Sequence, residues 1–177
     1  RTGECFAFQH SEDLVPDVMT LAKGLGNGMP IGACLVAGAA VNILTAGTHG
    51  STFGGNPLAC RVALAVLDTL DKQNLMANVK QLNKQIVLGF KQKLAKIEGV
   101  KEVRSAGFMF GIELDVPCTE LVKKALDKHI LINVTADNII RLLPPLVLDA
   151  SEANEMVASV SDLVIDFLAN QTTKSVA

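Results

Sequence analysis

Tryptophan and tyrosine are missing from these 177 residues, and phenylalanine occurs only seven times. Charge of either sign is not in excess: 16 Lys and Arg stand against 18 Asp and Glu, a formal net charge of −2. That balance gives no electrostatic basis for nucleic acid or an anionic membrane surface as a partner. It leaves room for a single anionic pocket built from a few residues. No apolar run is long enough to cross a bilayer, and a signal peptide is not expected. Cysteine is sparse. Cys5, Cys34, Cys60 and Cys118 stand too far apart for a short zinc spacing or a dense disulfide scaffold, and read as reduced thiols of a cytoplasmic protein. Repeats and low-complexity tracts are also missing. With 49% apolar and 19% charged residues the composition is that of a folded protein with a sizeable core. The first residue is Arg1 rather than Met, and Arg1-Thr2-Gly3-Glu4 reads as the interior of a longer chain.

Residues 1–57 are rich in glycine and turns. Cys5–Phe8 reads as a short strand, Leu14–Asp17 as a turn, Val18–Leu21 as a buried strand and Ile31–Ala37 as another strand. Between those strands, Lys23-Gly24-Leu25-Gly26-Asn27-Gly28-Met29-Pro30 is too broken for an element interior. Ala39–Leu44 reads as a short helix and Gly47–Pro57 as a second glycine-rich loop. Such strands need partners on faces and edges, so this region is a poor independent domain.

The texture changes at Asn56-Pro57, a cap followed by proline at the first helical position. Apolar residues recur at helical spacing from Leu58 to Leu70 and from Leu75 to Leu94, as one bent helix or two joined near Lys72–Asn74. Beyond Gly99 the pattern is a small α/β unit. Strands are expected at Val100–Ser105, Phe108–Leu114, Ile130–Val134 and Ile139–Leu143, with a helix at Thr119–Lys128. Asp149 and Glu152 match a capping box before a helix whose apolar face includes Met156, Val160, Leu163, Val164, Phe167 and Leu168; fraying is expected from Gln171.

Three places carry chemistry. Lys23 ends a short apolar strand and enters a glycine loop. Enclosure by that loop would desolvate the amine and expose a nucleophile; the plainer alternative is a surface lysine in a turn. Thr48, Ser51 and Thr52 offer hydroxyls among Gly50, Gly54 and Gly55, a plausible phosphate nest or simply a turn before a helix cap. Arg141 sits in an apolar strand between Ile140 and Leu142, where a charge needs a partner. A substrate carboxylate suits its guanidinium fork, and an internal bridge to Asp137 or Glu113 is the alternative. Arg104 reads as structural, Asp17 as a tie for its turn, and His49 as a loop residue that positions Thr52. His10 reads as a loop residue, His129 as a surface residue at a helix end, and the cysteines as core or boundary residues.

Read together, Thr20–Gly28 with Pro30–Ala33, Gly47–Cys60, and Asn138–Leu146 closely resemble class III pyridoxal-phosphate aminotransferases, and within them the acetylornithine/succinylornithine branch. The resemblance covers essentially the whole chain but somewhat under half of a family member. It implies an α/β chain of the fold-type I pyridoxal-phosphate transferases. Residues 1–57 would close the large cofactor domain, 58–98 would connect, and 99–177 would form the small C-terminal domain. It implies that Lys23 bonds covalently to pyridoxal 5'-phosphate and then carries a proton as general base and acid. Ser51 and Thr52 would bind the cofactor phosphate of a neighbouring subunit in a homodimer, and Arg141 the substrate α-carboxylate. The implied reaction moves the terminal amino group of N-acetylornithine to 2-oxoglutarate. Alternatives are a related enzyme acting on ornithine, 4-aminobutyrate or succinyl-diaminopimelate, or a non-catalytic assembly module. Absent from this span are the family's aspartate for the pyridine nitrogen, its ring-stacking aromatic residue, its other phosphate loop and a second substrate arginine. The upstream half of the same protein is therefore an expected partner, without which the chain alone is expected to be inactive.

Overall fold

The computed structural model describes residues 1–174 as an α/β chain. The chain divides into two compact units, Glu4–Leu75 and, with Arg1–Gly3, Met76–Ala177.

In the first unit, β1 (Val18–Leu21) and β2 (Ala33–Val36) form an antiparallel pair with Val18 opposite Val36 and Leu21 opposite Ala33. Both strands fall within the expected spans, but β1 is not buried as expected, since Val18 is exposed; Leu35 of β2 is exposed as well. Among the described residues each strand has only the other as a neighbour, and nothing completes the sheet. Cys5–Phe8 is not a strand. The chain bends there and enters a 3-10 turn at Ala7–His10, held by Gln9 N–H donating to the Phe6 carbonyl and the Gln9 side chain accepting from Phe6 N–H. His10 accordingly ends that turn rather than lying in a loop. The helix expected at Ala39–Leu44 shrinks to a 3-10 turn at Gly38–Ala40.

Helix α1 (Pro57–Lys72) starts where the cap signal places it: Asn56 Oδ1 accepts from Ala59 N–H at 3.1 Å, and Pro57 occupies the first turn. It separates from α2 (Leu75–Leu94) at Gln73-Asn74, with Asn74 at φ +50°, so the long apolar run is two helices.

The second unit holds a four-stranded antiparallel sheet in the order β3-β4-β6-β5, from β3 (Val100–Ala106), β4 (Met109–Leu114), β5 (Asn133–Thr135) and β6 (Ile139–Leu142). The β5 strand is shorter than the apolar run suggested. Gly107, at φ +56°, turns the β3–β4 hairpin. Side-chain alternation sends Phe110, Ile112, Leu114, Ile140 and Leu142 to one face. There they meet Val79, Leu82, Ile86, Phe90 and Leu94 of α2, Leu121 and Ala125 of α3 (Leu121–Asp127), and Val160, Leu163, Val164 and Phe167 of α4 (Ala150–Lys174) in one core. Phe90 and Phe110 pack edge to face with centroids 6.4 Å apart. The capping box is present: Asp149 N–H donates to Glu152 Oε2 at 2.9 Å and Glu152 N–H to Asp149 Oδ1 at 2.8 Å. Fraying does not begin at Gln171, because α4 continues to Lys174; Ser175–Ala177, on which the same expectation falls, lie outside the described residues.

With one face on the core, the sheet's other face is free for polar residues. Register puts Arg104, Gly111, Arg141 and Asn133 in one cross-strand row, and Glu102, Glu113, Ile139 and Thr135 in the next.

Candidate functional site

The β1 strand delivers the chain to Lys23, which opens a 3-10 turn at Lys23–Leu25. Its backbone is left-handed, φ +51°. A lysine gains nothing locally from that conformation, which costs an L-residue roughly 1–2 kcal/mol and persists only where its surroundings impose it. The imposing contacts are backbone turns: Gly26 N–H donates to the Lys23 carbonyl at 3.2 Å, Asn27 N–H to Gly24 at 3.3 Å, and Met29 N–H to Gly26 at 3.0 Å. Gly26 is required there, since a Cβ would lie 2.0 Å from the Met29 carbonyl oxygen. Lys23, Gly28, Met29, Pro30 and Ile31 line an open cleft of about 320 Å³.

Of the two readings of the amine, this span shows the surface lysine in a turn rather than the enclosed nucleophile. Lys23 is exposed, because a glycine loop brings backbone beside it but no side chains to cover it. The role expected of Asp17 is present. Its Oδ1 accepts from Ala39 N–H at 2.8 Å and its carbonyl from Ala37 N–H at 2.7 Å, closing the β1–β2 pair at the end far from Lys23.

The loop from Gly47 to Asn56 is a chain of tight turns. Gly54 N–H donates to Ser51 and Asn56 N–H to Phe53, both at 3.2 Å. Ser51 and Thr52 are exposed, and neither hydroxyl is hydrogen-bonded among the described residues. Thr48 is spent internally: its hydroxyl donates to the Thr45 carbonyl at 2.7 Å and accepts from Thr45 N–H at 3.0 Å. His49 does not position Thr52. Its Nδ1 lies 3.4 Å from Thr48 Oγ1, the hydroxyl one residue back and the nearer partner. The turn that carries Lys23 packs against α1, the helix this loop feeds. Lys23, Ser51 and Thr52 therefore belong to one compact unit, and Arg141 to the other.

In the second unit Arg141 stands on β6 between inward-facing Ile140 and Leu142, directly across from Gly111 on one side and Asn133 on the other. It is half-buried. Its Nε is fully buried with no hydrogen-bond partner among the described residues. A charged donor in that state carries a desolvation cost that a carboxylate ligand would remove. The internal bridge to Glu113 is not made. Glu113 is taken by Arg104, whose Nη1 donates to Glu113 Oε2 at 2.7 Å and Glu102 Oε2 at 2.6 Å, and by Lys101, 3.9 Å from Oε1. Those two carboxylates raise the Arg104 pKa. Arg104 is thus structural, as read.

Three of the four cysteines are not core residues: Cys5, Cys34 and Cys60 are exposed, and only Cys118 is buried. Cys34 lies on β2, Cys60 on α1 and Cys5 just ahead of the 3-10 turn at Ala7–His10, whereas Cys118 lies in the second unit's core. His129 is the exposed residue after α3, at φ +60°, as expected. Polar anchors that periodicity hid are Asn78 and Asn83 on α2. Asn78 donates to the Leu146 and Leu148 carbonyls at 3.1 and 3.0 Å, fixing the segment that follows β6; Asn83 donates to Ser105 Oγ and the Gly107 carbonyl at 2.8 and 2.7 Å. An asparagine at the edge of an apolar helix face is the signal that could have found them. No described helix is long and apolar enough to cross a membrane.

Comparison with known proteins gives these places a context. The chain is 50% identical over 168 residues to an acetylornithine aminotransferase of Nitrosomonas europaea, a match covering 95% of this chain and 42% of that protein. It is similar in structure to the ornithine aminotransferase from Toxoplasma gondii, with TM-score 0.87 and 33% identity over 98% of this chain and 41% of that one. It is also similar to the acetylornithine aminotransferase from Elizabethkingia anophelis, with TM-score 0.84 and 32% identity over 94% of this chain and 43% of the other. The chain spans about two fifths of the length of the curated relatives it matches. The family described as aminotransferase class-III matches residues 1–164, a span that takes in the Lys23 turn, the Ser51-Thr52 loop and the Arg141 strand. On that match and the shared α/β architecture of fold type I, the chain belongs to the class-III aminotransferase family.

Proposed function

We propose that the whole protein containing this chain is an acetylornithine aminotransferase, a cytoplasmic homodimer that transfers the terminal amino group of N-acetylornithine to 2-oxoglutarate. The observation that carries the site is the buried Nε of Arg141, which has no hydrogen-bond partner among the described residues and would suit an external carboxylate. The choice of donor is supported by the identity to acetylornithine enzymes. In this reading residues 1–57 close the large domain, 58–98 lead out of it, and 99–177 form the small domain; the activity also needs the residues its relatives carry beyond this span.

The residues present fit pyridoxal 5'-phosphate. An exposed primary amine stands at a cleft walled by Gly28, Met29, Pro30 and Ile31, and two hydroxyls with no internal partner among the described residues stand on a turn-rich loop. When bound, this cofactor supplies an electron sink for the substrate carbon that loses its proton. Lys23 Nζ is the covalent anchor. The same Nζ, when free, would take a proton from one carbon and return it to another, as base and then acid. The left-handed backbone at Lys23 aims that amine. Ser51 and Thr52 hydroxyls hold a phosphate, that of the neighbouring subunit in the dimer. Arg141 would orient 2-oxoglutarate by the carboxylate next to its reacting carbonyl; in N-acetylornithine the reacting amine stands at the other end of the chain from the α-carboxylate, so that carboxylate calls for a different partner.

Ornithine is the competing donor, favoured by the structural likeness to ornithine aminotransferases. Turnover of the whole protein with a panel of donor amines and 2-oxoglutarate tests the proposal. N-acetylornithine is expected to be the preferred donor; equal or better turnover of unmodified ornithine would overturn it.

A further inference from the structure

Arg141 has a rival for its carboxylate ligand inside the fold. Glu113 lies on the adjacent strand, on the same face of the sheet, paired with Ile139 two residues from Arg141. That is the diagonal cross-strand position, within reach of two long side chains. A carboxylate and a guanidinium so placed attract each other, and Arg141 has no other internal counter-ion among the described residues. Yet the pair is not formed. Glu113 is drawn the opposite way by Arg104 on the far neighbouring strand, at 2.7 Å. The β-bulge between Val100 and Glu102 assists, since the residue it frees, Lys101, reaches Glu113 Oε1 at 3.9 Å. Gly111 separates the two arginines in their common row and contributes no side chain to bridge them.

We propose that Arg104 is a positioning residue for substrate binding: by holding Glu113 on its own side of Gly111, it keeps Arg141 free of an internal carboxylate and available to the substrate's. The inference rests on the reading of Arg141 as the carboxylate's partner. It gives the ion pair a function other than stability, which for a pair this exposed would be slight. Without Arg104, Glu113 swings toward Arg141 and competes with the carboxylate of 2-oxoglutarate, so apparent affinity falls while the chemical step on bound substrate does not.

The test is steady-state kinetics of the whole protein with 2-oxoglutarate varied. For Arg104→Met, KM is expected to rise about three- to fivefold, the equivalent of one exposed ion pair, with kcat within about twofold of the parent. Arg104→Met combined with Glu113→Gln is expected to return KM to the parent value, because the rival is neutral. Should Arg104→Met not fold, Arg104→Gln with and without Glu113→Gln carries the same comparison. Arg141→Met is the control on the underlying reading, with KM expected to rise roughly tenfold or more. An unchanged KM in Arg104→Met beside a raised KM in Arg141→Met overturns the proposal and leaves the reading standing. A raised KM that Glu113→Gln does not restore overturns it too, because capture by Glu113 is then not the cause. An unchanged KM in Arg141→Met removes the reading and the proposal together.

Discussion

Gly111 sits directly across the β4–β6 ladder from Arg141 and directly across the β3–β4 ladder from Arg104. A Cβ at Gly111 would meet Ile139 Cγ2 at 3.5 Å and Arg104 Cγ at 3.6 Å, ordinary contacts. The glycine is therefore not demanded by packing at the Cβ, and its backbone is not left-handed. What it preserves is the space between two guanidinium groups. Gly111→Ala is expected to change stability by no more than about 0.5 kcal/mol. Gly111→Leu fills the space beside Arg141 and is expected to raise KM for 2-oxoglutarate several-fold. Urea unfolding and steady-state kinetics on the two variants separate the effects.

The strained backbone at Lys23 predicts a trade of stability against activity. Glycine adopts φ +51° freely, whereas lysine does not. Lys23→Gly is expected to raise the unfolding free energy by roughly 1 kcal/mol while abolishing transamination. A urea midpoint at or below that of the parent would show that the left-handed conformation is not held against resistance.

Cys118 differs from the other thiols in kind. Burial pushes its pKa up from the ordinary 9.0 to about 11, because the thiolate would lose its hydration inside the core. Iodoacetamide at pH 8 is expected to label Cys5, Cys34 and Cys60 in this folded chain and Cys118 only after unfolding. The sign for stability follows from proton counting. Between pH 9 and about 11 the folded state keeps the Cys118 proton while the unfolded state releases it, so this group's contribution is complete below pH 9 and declines across that window. Cys118→Ala is expected to flatten the decline, read as urea midpoints across the pH series.

Features that depend on near neighbours in the chain were legible in the residues. Asn56 with Pro57, and Asp149 with Glu152, announce helix starts because a cap is a contact over three residues. The break at Gln73-Asn74 and the β3–β4 hairpin at Gly107 are likewise local. The site was legible as residue types but not as an arrangement. Whether Glu113 bonds Arg141 or Arg104 depends on strand register, and a register one residue different would put Glu113 on the core face. Burial of β1 was misread, and enclosed and surface readings of Lys23 both stayed open, because apolar pattern reports that a strand wants a cover, not whether this span supplies one. The Cys5–Phe8 strand failed because a period-two pattern four residues long is outweighed by the hydrogen bonds of Gln9 to Phe6.

Ser161 of the second unit is out of keeping with its surroundings, and it yields a stability prediction opposite in sign to most core substitutions. It lies fully buried on α4 among Val157, Val160, Leu163 and Val164, and its Oγ has no hydrogen-bond partner among the described residues. An unpaired buried hydroxyl costs about 1–3 kcal/mol of desolvation, whereas removing one small atom leaves a void too slight to offset that. Alanine also has the higher helix propensity. Ser161→Ala is therefore expected to stabilise the protein by about 1 kcal/mol, visible as a higher urea midpoint with an unchanged slope. Ser161→Val is the informative contrast. It removes the same hydroxyl but adds volume to a core already closed by Val160 and Val164, and overpacking is expected to cancel the gain. If both variants lost stability, the hydroxyl would have to be satisfied in solution, and the core around α4 would be wetter than its apolar lining implies.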